Sequence, residues 1–195
     1  MIMQAEAQRT YSPEEYLELE VNSAERHEYR DGEISLMAGG TPNHNTVTGN
    51  LHAALNFALK RSPYRVFVAD QRLWIPEKRI YVYPDVMVVA GELQLQEGRT
   101  DTIANPVMIA EVLSNTTQGY DRGDKFAAYR TIPTLQEYLL IDQYRTHVEQ
   151  YARTDANKWI FSEYDGLEAT FPLVALPFQV ELADIYDKVD FAVEA

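Results

Sequence analysis

The hydrophobic positions along this chain change period several times, and each change marks an element. In YSPEEYLELE, Ser12 is placed to cap a helix, Pro13 to open it and Glu15 to close a capping box, so a short helix comes first. RHEYRDGEISLMAGG sets two strand-like arms around Asp31 and Gly32, the local signal for a hairpin. Between residues 42 and 61, Val47, Leu51, Leu55, Ala58 and Leu59 recur at steps of three and four, which predicts the first long helix. The stretches RVFVADQRLWI and RIYVYPDVMVVAG then read as two strands of a meander, joined around Pro76, Glu77 and Lys78.

Residues 92–106 are polar and unpatterned, a loop, and VMIAEVLS after them is a third core strand. The spacing of Phe126 and Tyr129 predicts a helix over Asp121 to Thr131 that faces the sheet and ends before Pro133. EYLLID is the next strand, THVEQYAR and KWIFSEY extend the sheet, and the tail through LPFQVELADIYDKV packs along it. The order helix, three strands, helix, strand predicts an α/β (α+β) fold. Its mixed β-sheet is flanked by helices, with an added N-terminal hairpin and C-terminal strands. A length of 195 residues fits a single domain, its core spanning about residues 26–151.

Two acids interrupt this pattern. Asp85 follows Pro84 at the mouth of the apolar run Val86–Ala90, and Glu111 stands inside VMIAEVLS, where an unpaired carboxylate is strongly disfavoured. Each has an ordinary explanation: Asp85 as a solvated turn residue, Glu111 as half of a buried salt bridge. Together, if the meander and loop set their strands side by side, they also suit one hard cation, and Mg²⁺ commonly takes one or two carboxylates with water and a substrate phosphate. Lys125, on the helix that follows the Glu111 strand, is placed to lean over the same edge. The bland alternative is a solvent-facing lysine.

Composition narrows the chemistry. The absence of cysteine excludes disulfides, zinc-thiolate sites and thiol nucleophiles, so a metal here must be held by oxygen or imidazole. A net charge of −13 argues against a sequence-indifferent nucleic-acid coat, yet a nuclease needs only a local positive track and carboxylates for its metal. MIMQAEAQRT is neither a signal peptide nor a transit sequence, and no apolar run approaches a membrane span, so a cytoplasmic protein without membrane contact is expected.

The segments RHEYRDGEI, YPDVMVV, IAEVLSNTT, DRGDKFAAYR and LQEYLLID resemble the Uma-two family of the PD-(D/E)XK, or restriction-endonuclease-like, superfamily. The resemblance implies a Mg²⁺-dependent endonuclease acting on DNA, with Mn²⁺ able to substitute. Asp85 and Glu111 would be the metal ligands, and a water bound to the ion the nucleophile. The lysine usual two residues beyond the acid is replaced by Leu113, and Lys125 in GDKFAAYR matches the family's relocated lysine. Glu28, before the Asp-Gly turn, matches a further acid whose alternative is a solvated hairpin edge, while Glu33 supports the hairpin.

Of the remaining polar residues, Asp70 in VADQR is either a turn former or an outer support of the site, and Gln71 has less to recommend it. His44 and His52, eight residues apart, do not have the spacing of a helical metal pair, and His44 reads as a helix-start residue near the site mouth. Arg122 and Arg130 beside Lys125, and the cluster Lys60, Arg61 and Arg65, are the candidates for a phosphate track. Duplex DNA is the expected partner, with a homodimer supplying one site per strand. A nuclease-like binding module without catalysis is the other reading, and hydrolysis of RNA or a small nucleotide is a third.

Overall fold

The capping box forms: Ser12 accepts the Glu15 amide at 3.2 Å, and Glu15 accepts the Ser12 amide at 2.8 Å. Helix α1 (Pro13–Asn22) starts there. A computed structural model describes residues 9–192, and the N-terminal MIMQAEAQ, read above as carrying no targeting signal, lies outside them. Strands β1 (His27–Arg30) and β2 (Glu33–Leu36) pair through the Asp31-Gly32 turn, whose φ values of 39° and 112° explain the glycine. Helix α2 (Pro42–Ala58), capped by Thr41, buries Val47, Leu51 and Leu55, with Leu59 just beyond its end. Ala58, expected on that face, is exposed.

The two long strands predicted between 64 and 91 are each broken. The first divides into β3 (Tyr64–Val68) and β4 (Arg72–Ile75), turning at Ala69 with φ 33°. The second divides into β5 (Ile80–Val82) and β6 (Val86–Ala90), interrupted at Pro84, which has no N–H for the ladder. β3 pairs with β6 in one sheet and β4 with β5 in another, so a bent ribbon passes between sheets and Asp85 stands at its corner. Sequence alternation continues smoothly through such a bend, which is why it reads as unbroken strands.

The larger sheet has the order β11-β10-β9-β8-β6-β3. In it β8 (Met108–Leu113) and β9 (Glu137–Asp142) are parallel, while β10 (His147–Asp155) and β11 (Lys158–Asp165) close one side as an antiparallel pair. The smaller sheet runs β2-β1-β5-β4-β7, and its β7 (Thr102–Ile103) comes from the segment expected to be loop. Helix α3 (Gln118–Tyr120), a π turn (Asp121–Lys125) and α4 (Phe126–Tyr129) run on as one helical segment. It starts before the predicted Asp121 and stops short of Thr131. The tail forms β12 (Thr170–Pro172), β13 (Gln179–Glu181) and α5 (Leu182–Ile185), the last packed on α2.

Both faces of the central strands are covered, as their continuous apolar runs require. One face, with Val86, Val88, Ala110 and Val112, packs under α2 and α5. The other, with Met87, Val89, Ile109 and Leu113, packs under Ala128 and Tyr129 and meets Leu73, Ile75 and Val82 of the smaller sheet. The sheets thus part next to the β6 and β8 ends, and a cleft opens there. Among the described residues no helix is long and apolar enough to cross a membrane.

Candidate active site

Strand register brings the two acids together. Val86 lies opposite Ala110 in the antiparallel β6–β8 pair, so the next pair outward is Asp85 and Glu111, and directly opposed residues point to the same face. Asp85 Oδ2 accepts the Val112 amide at 2.8 Å, and the Asp85 amide points to Glu111 Oε2 at 3.4 Å. Both residues line a cleft of about 600 Å³ with Glu28, Asp121 and Lys125.

Lys125 arrives from the π turn, whose wider coil re-aims side chains relative to a regular helix. Its Nζ lies 2.9 Å from Glu111 Oε1 and 3.5 Å from both Glu28 Oε1 and Asp121 Oδ1. Tyr129 donates to the same Glu111 oxygen at 2.6 Å. Leu113 shares Glu111's face of β8 two residues on and is packed in the core, so the ammonium reaches the acid from the helix instead.

The charge balance follows from this burial. Desolvation pushes the Glu111 carboxyl up to about 8, the nearby charges of Asp85 and Asp121 adding to the effect and Lys125 opposing it. Burial also raises Asp121, while Lys125 is held well above its ordinary value because Glu111, Glu28 and Asp121 outweigh its own desolvation. Once Glu111 ionises, three carboxylates surround one ammonium and leave an excess of negative charge.

His44 was read from the sequence only as a residue near the mouth, and it does more. Its Nε2 lies 3.2 Å from Asp85 Oδ2. Burial disfavours its charged form, but the Asp85 bond and charge prevail and raise its pKa. The same contact, with the Val112 amide, overcomes desolvation at Asp85 and holds that carboxyl below the usual range. Gly40 makes room for the ring: a Cβ there would meet His44 Nδ1 at 2.7 Å. Thr41 caps α2 through the His44 amide and donates to Gln143 Oε1 at 2.5 Å, and Gln143 donates to the Leu113 carbonyl at 2.7 Å. A cap residue three before a histidine was the available signal for this placement.

Other candidates lie elsewhere. Asp70 is an exposed turn residue paired with Arg26 at 2.6 Å, and Gln71 donates to the Asp101 carbonyl. Arg122 is tied to Glu149 at 2.7 Å, and Arg130 lies over the Phe126 ring. Neither lines the cleft, nor do Lys60, Arg61, Arg65 or His52. Glu33 faces outward on the hairpin. Asp121 and Tyr129 were missed, although their positions four residues before and after Lys125 put them on its side of the helix.

A family described as "Putative restriction endonuclease", Uma2, matches residues 13–184. The chain belongs to the Uma2 family. Two Synechocystis proteins, both titled as uncharacterized, are similar to it. The protein sll1609 is 44% identical over 155 residues, covering 80% of this chain and 88% of its own length. The protein slr1290 is 34% identical over 174 residues, covering 88% and 90%. The crystal structure of a "putative nuclease belonging to DUF820" from Anabaena variabilis superposes with a TM-score of 0.73 at 18% identity, covering 90% of this chain and 97% of that one, so the fold is shared.

The donor set of this Uma2 chain suits a hard divalent ion. Among the described residues no three His, Asp or Glu side chains form a ready cage, but Mg²⁺ needs only one or two carboxylates beside water and substrate. Val112 and His44 occupy only Oδ2 of Asp85, and Lys125 and Tyr129 occupy only Oε1 of Glu111. Oδ1 of Asp85 therefore stays open to an ion and Oε2 of Glu111 accepts only a long bond from the Asp85 amide, while the negative charge of the cluster favours a cation.

Proposed function

We propose that this protein is a divalent-metal-dependent endonuclease that hydrolyses phosphodiester bonds of DNA. The observation that carries the reading is the convergence of Asp85, Glu111 and Lys125 in one cleft, with Nζ 2.9 Å from Glu111. Asp85 and Glu111 would hold Mg²⁺ or Mn²⁺. When bound, the ion supplies a Lewis acid that lowers the pKa of water and offsets phosphate charge. Val112 and His44 fix the orientation of Asp85, and Tyr129 fixes that of Glu111. Lys125 sits where it can stabilise negative charge on the phosphate as water attacks the phosphorus and the sugar oxygen leaves. Glu28, 3.5 Å from Lys125, holds the ammonium from the hairpin side.

Duplex DNA is the substrate we favour, cut by a homodimer with one site per strand. The outer strand β11, with Ile160 56% and Phe161 48% exposed, is the surface we assign to the second copy. Light scattering of the wild type and Phe161→Glu tests that assignment, a monomeric wild type rejecting it.

Nicking of supercoiled plasmid with Mg²⁺ or Mn²⁺ tests the activity. The wild type should cut, EDTA should stop it, and Asp85→Ala should be inactive. If neither DNA nor RNA is cut with any divalent ion, the endonuclease reading fails and a binding module takes its place.

A further inference from the structure

The acid cluster satisfies Lys125 but leaves another cation of the cleft without a carboxylate partner. Arg30 ends β1 two residues after Glu28, so both side chains leave the same face of the strand and both line the cleft. Among the described residues no carboxylate pairs with Arg30, and its Nε is buried without a hydrogen bond. The guanidinium carbon lies 4.7 Å from the centroid of the Tyr120 ring. Tyr120 lines the same cleft, and its buried hydroxyl faces the Arg30 guanidinium with no acceptor for its own proton. Lys125 Nζ is 5.8 Å from that ring centroid, which ties the pair to the acid cluster.

Buried donors that lack an acceptor are costly, so the Arg30 Nε and the Tyr120 proton side by side at the wall of a cleft call for a ligand that accepts from both. A guanidinium fork and a hydroxyl donate together to an oxyanion, and the fork geometry matches phosphate. The cleft's other cationic side chains, Lys125 and His44, are already committed to acids. The geometry points to a phosphate subsite made by Arg30 and Tyr120, which holds a phosphodiester of the nucleic-acid strand beside the acid cluster. This rests on the endonuclease reading and adds the group that grips the strand. Arg30 is here a binding residue, acting on substrate rather than on the metal.

The test compares the wild type with Arg30→Gln, Arg30→Lys and Tyr120→Phe on duplex DNA in Mg²⁺, reading kcat, KM and the dependence of KM on salt. Arg30→Gln should raise KM about tenfold, leave kcat within about threefold, and lower the slope of log affinity against log salt by about 0.9, one phosphate contact. Arg30→Lys should keep the slope, since a point charge still neutralises the phosphate, and Tyr120→Phe should raise KM by less. A stacking role alone would lower the melting temperature and leave the salt slope unchanged, and that result would overturn the subsite. A second measurement keeps the two readings apart. In Mg²⁺ the dinucleotide thymidylyl-thymidine should raise the melting temperature of the wild type and not of Arg30→Gln. If the wild type cuts nothing but this difference appears, the endonuclease reading fails and the subsite stands. If the dinucleotide shifts both proteins equally, the subsite is rejected.

Discussion

Replacing Glu111 by glutamine isolates the buried charge at the centre of the cluster. Burial, with the charges of Asp85 and Asp121, lifts this carboxyl from 4.5 to about 8. A group with a raised pKa takes up a proton on folding, so its contribution to stability is complete below about 4.5 and is lost as pH rises through about 8. At about 1.4 kcal/mol per pKa unit, the full shift is worth at most about 5 kcal/mol, and about 3 kcal/mol of it falls between pH 5.5 and 7.5. His44 and Asp121, also raised, tilt stability the same way, so the measurement is the difference between proteins. Urea unfolding in EDTA should show the wild type losing about 3 kcal/mol more than Glu111→Gln across that window. Mg²⁺ should flatten the wild-type profile, because an ion that binds the ionised carboxylate offsets its cost increasingly as pH rises. Equal slopes in EDTA would refute the assignment of the shifted charge to Glu111.

Lys125→Ala should lose about 10² or more in cleavage and about 3 kcal/mol of metal-free stability, with poor rescue by Lys125→Arg; cleavage at the wild-type rate would reject the role. Gly40→Ala should drive the His44 ring off Asp85 and bring its titration back down toward 6.5, read by NMR, and an unmoved titration would show that the ring is held by other contacts. Arg122→Ala should cost about 1–2 kcal/mol by stranding buried Glu149, yet leave KM for DNA unchanged; a raised KM would return Arg122 to the phosphate track.

What the sequence carried legibly was whatever depends on local period or local chemistry. The capping box, the Asp-Gly hairpin, the α2 face and the buried strands around Glu111 are of that kind. The bend was illegible because alternation at Val68 and Val82 does not say which sheet each residue joins, and only long-range pairing separates β3 from β4. For the same reason Thr102 and Ile103 looked like loop: a strand this short takes its identity from β4 beside it. The acids announced themselves as polar residues in apolar company. Their partners did not, since Tyr129 reads as a core aromatic until its hydroxyl is found 2.6 Å from Glu111. The arginines failed differently. Sequence proximity to Lys125 favoured Arg122, but the π turn carries its guanidinium toward Glu149, and Arg30 reaches the cleft from a distant hairpin.

The acidity that makes a cation welcome should also make metal and substrate depend on each other. Without an ion, the carboxyl groups of Glu28, Asp85, Glu111 and Asp121 face an approaching phosphate while Lys125 is already committed to three of them, and among the described residues Arg30 is the cation of the cleft with no carboxylate partner. A divalent ion reverses the local sign, and a phosphate oxygen in turn adds a hard ligand to an ion that two carboxylates hold incompletely. Binding free energies are linked reciprocally, so the factor by which Mg²⁺ tightens DNA must equal the factor by which DNA tightens Mg²⁺. A coupling of about tenfold or more is expected, measured with Lys125→Ala so that the DNA survives, and Asp85→Asn in that background should abolish it. DNA affinity indifferent to Mg²⁺ would place the strand away from the acids and dissolve the link between this cleft and phosphodiester chemistry.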